Sequence, residues 1–108
     1  MKQLADELKR LAPYCGTVEV FPGRVVWQCG ELAFILRRHG SGVSVVAEGP
    51  QDASGATLRC YSDWAPDLAS ALAPVLSRVI RLSGLTVPEC LNWALERVQR
   101  ARAGVEEP

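Results

Sequence analysis

The sequence predicts an α+β domain in which an N-terminal helix precedes a five-stranded antiparallel meander sheet and two or three helices follow it. Three observations support this fold class. Apolar residues recur with a helical period before Pro13 and after Pro66, they recur with a period of two between Thr17 and Ser62, and glycine or proline interrupts the second region at short intervals. One apolar sheet face packed against the helices makes a two-layer sandwich.

Length and composition limit what the chain can be. Its 108 residues match the common size of one domain, so we expect a single domain over 1–108 with a frayed end at 103–108. With 12 basic and 12 acidic residues, the chain has no global field to attract nucleic acid or anionic lipid. It lacks an apolar run of the ~20 residues that a membrane span needs, and its charged N-terminus is unlike a signal peptide. These features predict a cytoplasmic protein with no membrane contact.

The first helix is indicated by Leu4, Leu8 and Leu11, which fall on one face at 3.6 residues per turn. Charged residues occupy the opposite face. Pro13 ends the helix, because the residue before a proline is pushed out of the helical region.

The five predicted strands are 17–21, 24–28, 31–38, 43–48 and 56–61. A turn centred on Pro22-Gly23 places Val18 opposite Trp27, and a second turn centred on Cys29-Gly30 places Trp27 opposite Leu32. This register gathers the apolar residues onto one face, which a wrong register would not do. The predicted apolar face consists of Val18, Val20, Val25, Trp27, Leu32, Phe34 and Leu36, continued by Val43, Val45, Leu58 and Cys60.

The remainder of the chain predicts helices. Pro66 suits a first helical turn, and apolar residues follow with helical spacing up to Leu82. Pro74 lies inside this segment, so we expect a kink or a division into two helices. Trp64, just before the segment, is interpreted as a staple between sheet and helices.

The opposite face of the sheet is the most informative predicted surface. It combines an apolar centre with a basic and aromatic surround, which is typical of protein interfaces. The alternative is that a helix crosses this face and covers it. Trp93, on the last helix but off its apolar stripe, is a further candidate anchor. The predicted partner-binding residues are Arg24, Val26, Ile35, Arg37, Val46, Arg59, Tyr61 and Trp93.

A basic turn follows the third strand. Arg37, Arg38 and His39 precede flexible glycines and are candidates for contact with an anion or a nucleic acid, although a solvated hairpin tip has the same composition. Arginine beside aromatic residues on a sheet also binds single-stranded nucleic acid. Glu19 and Glu48 share that face and favour a protein partner instead. No phosphate-binding glycine motif is present, so no nucleotide cofactor is expected.

The cysteines predict neither a metal site nor a disulfide framework. Cys15, Cys29, Cys60 and Cys90 are scattered without a Cys-x-x-Cys pair, so reduced thiols are expected. Cys60 and Cys90 fall on apolar faces as inert residues. Cys15 and Cys29 come close in the first hairpin, and a bond between them is the alternative. An enzyme would need His39 beside a thiol or a carboxylate.

The sequence therefore predicts a non-enzymatic protein-binding module (an adaptor, a small inhibitor or a chaperone-like regulator) that forms a homodimer. Two alternatives remain open. One is a single-stranded nucleic-acid-binding domain that uses the arginine and aromatic face, and the other is a small enzyme with a Cys/His site. No cofactor is expected.

Overall fold

The computed structural model of the chain describes residues 2–49, 54–82 and 88–104. It confirms the α+β fold with an N-terminal helix, one open five-stranded antiparallel sheet and two C-terminal helices. The elements are α1 (Lys2–Leu11), β1 (Thr17–Phe21), β2 (Arg24–Cys29), β3 (Leu32–His39), β4 (Gly42–Gly49), β5 (Leu58–Ala65), α2 (Leu68–Leu82) and α3 (Glu89–Arg102).

The strands pair in chain order, and the first hairpin has the predicted register, with Val18 opposite Trp27. The predicted register of the second hairpin is wrong by two residues, because Trp27 lies opposite Phe34 rather than Leu32. The turn uses Gly30 with a φ of 62°, a left-handed conformation that glycine adopts without strain, as its first central residue. An even shift leaves every side chain on its predicted face, so the two faces of the sheet are assigned correctly.

The helices form one layer on the apolar face of the sheet, here called the inner face. Helix α2 packs on β4 and β5, α1 packs on β1, and α3 packs on α2. On the inner face Val25, Trp27 and Phe34 are fully buried, and the rings of Trp27 and Phe34 lie 4.7 Å apart between centroids. Aromatic contacts of this kind add to the free energy gained by burying apolar area. Val20, at the edge of the sheet, stays half exposed.

The C-terminal part differs from the prediction in two details. Strand β5 continues to Ala65, so Trp64 lies on a strand with 54% of its surface exposed and does not join sheet to helices. Helix α2 runs as one helix through Pro74. The Asp67 carboxylate accepts a hydrogen bond from the Ser70 amide over 2.8 Å and so caps the start of α2.

The predicted frayed end falls mostly on residues outside the described part of the chain. Ala103 and Gly104, which are described, close α3 through backbone hydrogen bonds to Gln99 and Ala101. Within the described ranges, no helix has the length and apolar character needed to cross a bilayer.

Candidate functional site

The face of the sheet opposite the helices, here called the outer face, is open. On the central strand β3, Phe34 and Leu36 are fully buried, whereas Ile35 between them is partly exposed. The same alternation continues on β2 and β4, where Val26 and Val46 are partly exposed. A covering helix would bury these side chains as well. The idea that a helix crosses this face is therefore wrong for the part of the chain that the structure describes.

A single transverse row of side chains crosses the outer face through all five strands. Direct pairing connects Val26 to Ile35 and Ile35 to Val46, so the three aliphatic side chains are contiguous at the centre of the sheet. Neighbouring strands lie about 4.8 Å apart, which keeps adjacent members of the row in contact range. The complete middle row is Glu19, Val26, Ile35, Val46 and Tyr61.

Two polar rows frame the middle row. The first consists of Thr17, Gln28, Ala33, Glu48 and Arg59, and in it Glu48 and Arg59 are direct cross-strand neighbours of opposite charge. The second, traced over β1 to β4, consists of Phe21, Arg24, Arg37 and Ser44, and its charged members are the two arginines. On β5, Asp63 lines a depression together with Ser44 and brings a negative charge to this side of the face. The Arg24 guanidinium lies 4.8 Å above the centroid of the Phe21 ring, so a cation–π contact holds it over the edge strand. The two frames thus differ in charge.

The basic turn does not present its three predicted contact residues together. Arg37 and His39 lie on the outer face, whereas Arg38 pairs with buried Val43 and belongs to the other side of the sheet. His39 Nε2 and Ser44 Oγ are 2.8 Å apart across the β3–β4 hairpin. The Trp64 indole N–H donates a long hydrogen bond of 3.4 Å to the His39 carbonyl. Only two of the three can therefore contact one ligand on the outer face.

A shallow depression of about 590 Å³ adjoins this histidine. His39, Ser44, Arg59, Tyr61 and Asp63 line it. A hydroxyl beside an imidazole is the pair that nucleophilic catalysis uses, and a carboxylate usually orients the imidazole. Among the described residues no hydrogen bond joins His39 to a carboxylate, and the pair is open to solvent. The depression therefore contributes polar groups to the outer face but lacks the arrangement of a triad.

Trp93 lies apart from the other seven predicted partner-binding residues. It is on α3, in the helix layer, with 38% of its surface exposed. The Arg97 guanidinium lies 5.0 Å from its ring centroid and donates hydrogen bonds to the carbonyls of Leu11 (3.0 Å) and Arg10 (3.1 Å) at the end of α1. The structure thus gathers Arg24, Val26, Ile35, Arg37, Val46, Arg59 and Tyr61 on the outer face and leaves Trp93 on a separate surface.

A cysteine cluster that the sequence did not predict lies between sheet and helices. A disulfide joins Cys15, in the loop after α1, to Cys90 in the first turn of α3. The free thiol of Cys29, at the end of β2, lies 3.5 Å from the Cys15 sulfur and 3.6 Å from the Cys90 sulfur. The expectation of reduced thiols is therefore wrong for Cys15 and Cys90. The prediction that Cys15 and Cys29 lie close together is confirmed, but the disulfide of Cys15 is made with Cys90.

Local contacts fix the loop that carries Cys15. The indole N–H of buried Trp27 donates a hydrogen bond of 2.6 Å to the Cys15 carbonyl. Gly16 approaches the Gln28 carbonyl so closely that a Cβ at this position would collide with it. Burial raises the pKa of the Cys29 thiol above its usual 9.0, because the apolar surroundings disfavour the thiolate. These contacts fix the position of the Cys15 loop, and Cys29 is shielded from solvent.

Over residues 2–49, 54–82 and 88–104, the chain is an open sheet with a helix layer on one face, an outer face that no described element covers, and a largely buried cysteine cluster. Comparison of the chain with protein-family models, with curated proteins and with solved structures finds no match. Its function is accordingly inferred from the outer face and from the cysteines.

Proposed function

We propose that the chain is a non-enzymatic protein-binding module that works as a homodimer joined through its outer face. The observation that supports this proposal is the contiguous aliphatic centre of the middle row, Val26, Ile35 and Val46, on an uncovered sheet. Contiguous apolar surface rimmed by polar groups marks interaction sites on proteins. Arginine and tyrosine are also the side chains that contribute most at protein interfaces, and Arg24, Arg37, Arg59 and Tyr61 are exposed here.

We choose a second copy of the chain as the partner because the aliphatic centre of this face lies on the middle strand, where it can pack against its own copy. In a two-fold dimer the same patch occurs on both subunits. The central residue, Ile35, lies on the middle strand of the sheet, so any face-to-face two-fold arrangement centred on it places Ile35 against Ile35. The zero net charge of the chain removes repulsion between copies.

Charge favours one of two limiting directions of the two-fold axis, parallel to the strands or along the middle row. An axis parallel to the strands would stack Arg37 on the partner's Arg37, which repels. An axis along the middle row stacks the frame that contains Arg24 and Arg37 on the frame that contains Glu48 and Arg59. It places Arg37 opposite the partner's Ala33, one strand away from the partner's Glu48. Complementary potentials of this kind favour one docking register over another. The second direction is therefore the one we propose.

The size of the face sets the expected strength of the dimer. Five strands about 4.8 Å apart give a face about 20 Å wide, toward the small end of specific interfaces. Such a dimer dissociates on dilution. Dimerisation would leave the two helix layers on the outside, where the exposed Trp93 remains accessible to another protein. This arrangement suits an adaptor, a small inhibitor or a chaperone-like regulator.

Solution mass tests the proposal. Light scattering behind a sizing column, over a dilution series, should give twice 11.7 kDa at high concentration and a falling mass on dilution. Ile35→Glu should remain monomeric at every concentration, because it places a charge at the centre of the interface. The matched control is Leu82→Glu, which changes an aliphatic residue that is 43% exposed in the helix layer.

Circular dichroism establishes that each variant is folded. A wild-type chain that is monomeric at every concentration contradicts the proposal. So does a folded Ile35→Glu variant that dimerises as the wild type does.

Binding of single-stranded nucleic acid is the second candidate. Its specific support is the set of exposed arginines, Arg24, Arg37 and Arg59, on the same face as Tyr61. Glu48 opposite Arg59 reduces the net positive charge of this face. Because phosphate contacts release counterions, this candidate requires oligonucleotide binding that weakens steeply with salt.

A further inference from the structure

The cysteine cluster brings together three sulfur atoms from three separate elements. Cys15 comes from a loop, Cys29 from a strand and Cys90 from a helix, and all three sulfurs lie within 4.8 Å of one another. Cys15 and Cys29 are 14 residues apart, and Cys29 and Cys90 are 61 residues apart. No local sequence motif marks such a cluster, and only the fold assembles it.

The position of Cys29 argues against a thiol-exchange site. A thiolate that breaks a disulfide attacks one sulfur along the axis of the bond. The Cys29 sulfur is almost equally distant, at 3.5 and 3.6 Å, from the two bonded sulfurs and therefore lies beside the bond rather than along it. The three sulfurs all lie within 4.8 Å of one another, close enough to bind one ion once the disulfide is reduced.

We propose that Cys15, Cys29 and Cys90, in the reduced chain, bind one Cu(I) ion through their three sulfurs. Metal–sulfur bonds of about 2.3 Å in a trigonal site place the sulfurs about 4 Å apart. The Cys29 sulfur already lies 3.5 and 3.6 Å from its neighbours, so it needs to move only slightly. The Cys15–Cys90 pair opens to a similar separation once its bond is reduced.

A set of three cysteine ligands favours Cu(I) over Zn²⁺, the metal that cysteines bind more commonly in proteins. Zinc sites in proteins are almost always four-coordinate, so Zn²⁺ bound by three cysteines would need a water molecule as its fourth ligand, which the burial of Cys15 and Cys29 disfavours. In the described part of the chain, no histidine, aspartate or glutamate joins the three cysteines. Soft thiolate ligands select Cu(I), which is stable with three of them. Cys15 and Cys29 are 2% and 1% exposed, which keeps the bound ion from solvent, whereas the partly exposed Cys90 provides the way in.

The start of α3 supplies positive potential to this site. Cys90 is the second residue of α3, and no side chain caps the helix at Pro88. The free amides of a first helical turn and the helix dipole stabilise a nearby thiolate. The acidic side chain of Glu89, in the same turn, opposes this potential, so the helix start offsets only a small part of the negative charge that three thiolates bring.

Formation of the site begins with reduction of the disulfide. A small-molecule dithiol supplies two electrons and two protons, the Cys15–Cys90 bond breaks into two thiols, and the dithiol becomes a cyclic disulfide. Binding then forms three copper–sulfur bonds and releases three protons to the solvent, and copper stays in the +1 state. Affinity is therefore expected to fall as the pH is lowered. Oxidation of Cys15 and Cys90 back to the disulfide removes two of the three ligands.

Anaerobic titration of the full chain tests the proposal. The chain is reduced, freed of the dithiol and titrated with Cu(I) in competition with a chromogenic Cu(I) chelator. We expect one Cu(I) per chain and three sulfur neighbours by X-ray absorption spectroscopy. Cys29→Ser and Cys90→Ser should each bind at least tenfold more weakly, whereas Cys60→Ser, a buried cysteine outside the cluster, should bind as the wild type does.

Circular dichroism identifies the variants that are folded. If Cys29→Ser does not fold, the Cu(I) affinity of Cys90→Ser tests the proposal by itself. Three results would overturn the proposal. These are no Cu(I) binding by the reduced wild type, Cu(I) bound by only two sulfurs, and a folded Cys29→Ser variant with wild-type affinity. Displacement of Cu(I) by equimolar Zn²⁺ would also contradict the three-coordinate assignment.

Discussion

The inner and outer faces of the sheet carry similar residues in different environments. Phe34 and Ile35 are adjacent on β3, yet Phe34 is fully buried under the helices and Ile35 is partly exposed. Strand geometry alone sends alternate side chains to opposite faces. The helix layer then decides which face becomes the core. In the central strands, the parity of an aliphatic residue's position therefore decides whether it is buried in the core or partly exposed on the outer face.

The largest expected effect is the difference in stability between truncations on the two faces. Phe34→Ala should lower the free energy of unfolding by about 3–5 kcal/mol, because it removes apolar contacts and leaves a cavity. Ile35→Ala should cost the monomer about 1 kcal/mol or less, because the side chain is already partly solvated. Urea denaturation at low protein concentration measures both. Equal losses would mean that Ile35 belongs to the core and that the distinction between the faces is wrong.

Most of the outer face could be predicted from the sequence because its assignment depends only on a period of two. The register of the second hairpin was wrong by two residues, and an even error does not move a side chain to the other face. Seven of the eight predicted partner-binding residues therefore lie together. Trp93 does not, because the direction in which a helix presents a residue depends on how that helix packs in the fold.

The other features that the sequence does not predict depend on contacts between residues far apart in the chain. No sequence pattern indicates that β5 continues past Tyr61, and the exposed position of Trp64 on that strand is therefore not predicted. The cysteine cluster was missed because it requires the first turn of α3 to lie beside the end of β2, and no local pattern specifies that contact. Four scattered cysteines suggest no site until the fold is known.

The next expected effect concerns the helix layer, through the bond that ties α3 to the loop after α1. The Cys15–Cys90 disulfide spans 75 residues, so its reduction should lower the free energy of unfolding by about 2–4 kcal/mol, through the greater entropy of the unfolded chain. Denaturation with and without a dithiol measures the loss. Cys90→Ser should show the lower stability in both conditions, whereas Cys60→Ser should respond to the dithiol as the wild type does. A wild-type chain that is insensitive to the dithiol would contradict the structural role of this bond.

The smallest expected effect in free energy is dimerisation through the outer face, and the proposed function depends on the position of that interface. Cross-linking through a cysteine on the two-fold axis tests it most directly. The Ile35→Cys variant should cross-link to a second copy rapidly with a short bis-maleimide, since this residue faces itself in the proposed dimer. Tyr61→Cys should do the same, because the proposed axis runs along the middle row, whereas an axis parallel to the strands would separate the two copies of that position. Leu82→Cys, in the helix layer, serves as the control. Ile35→Cys and Tyr61→Cys dimers that form faster than those of Leu82→Cys would support the account, and equal, slow rates at all three positions would contradict it.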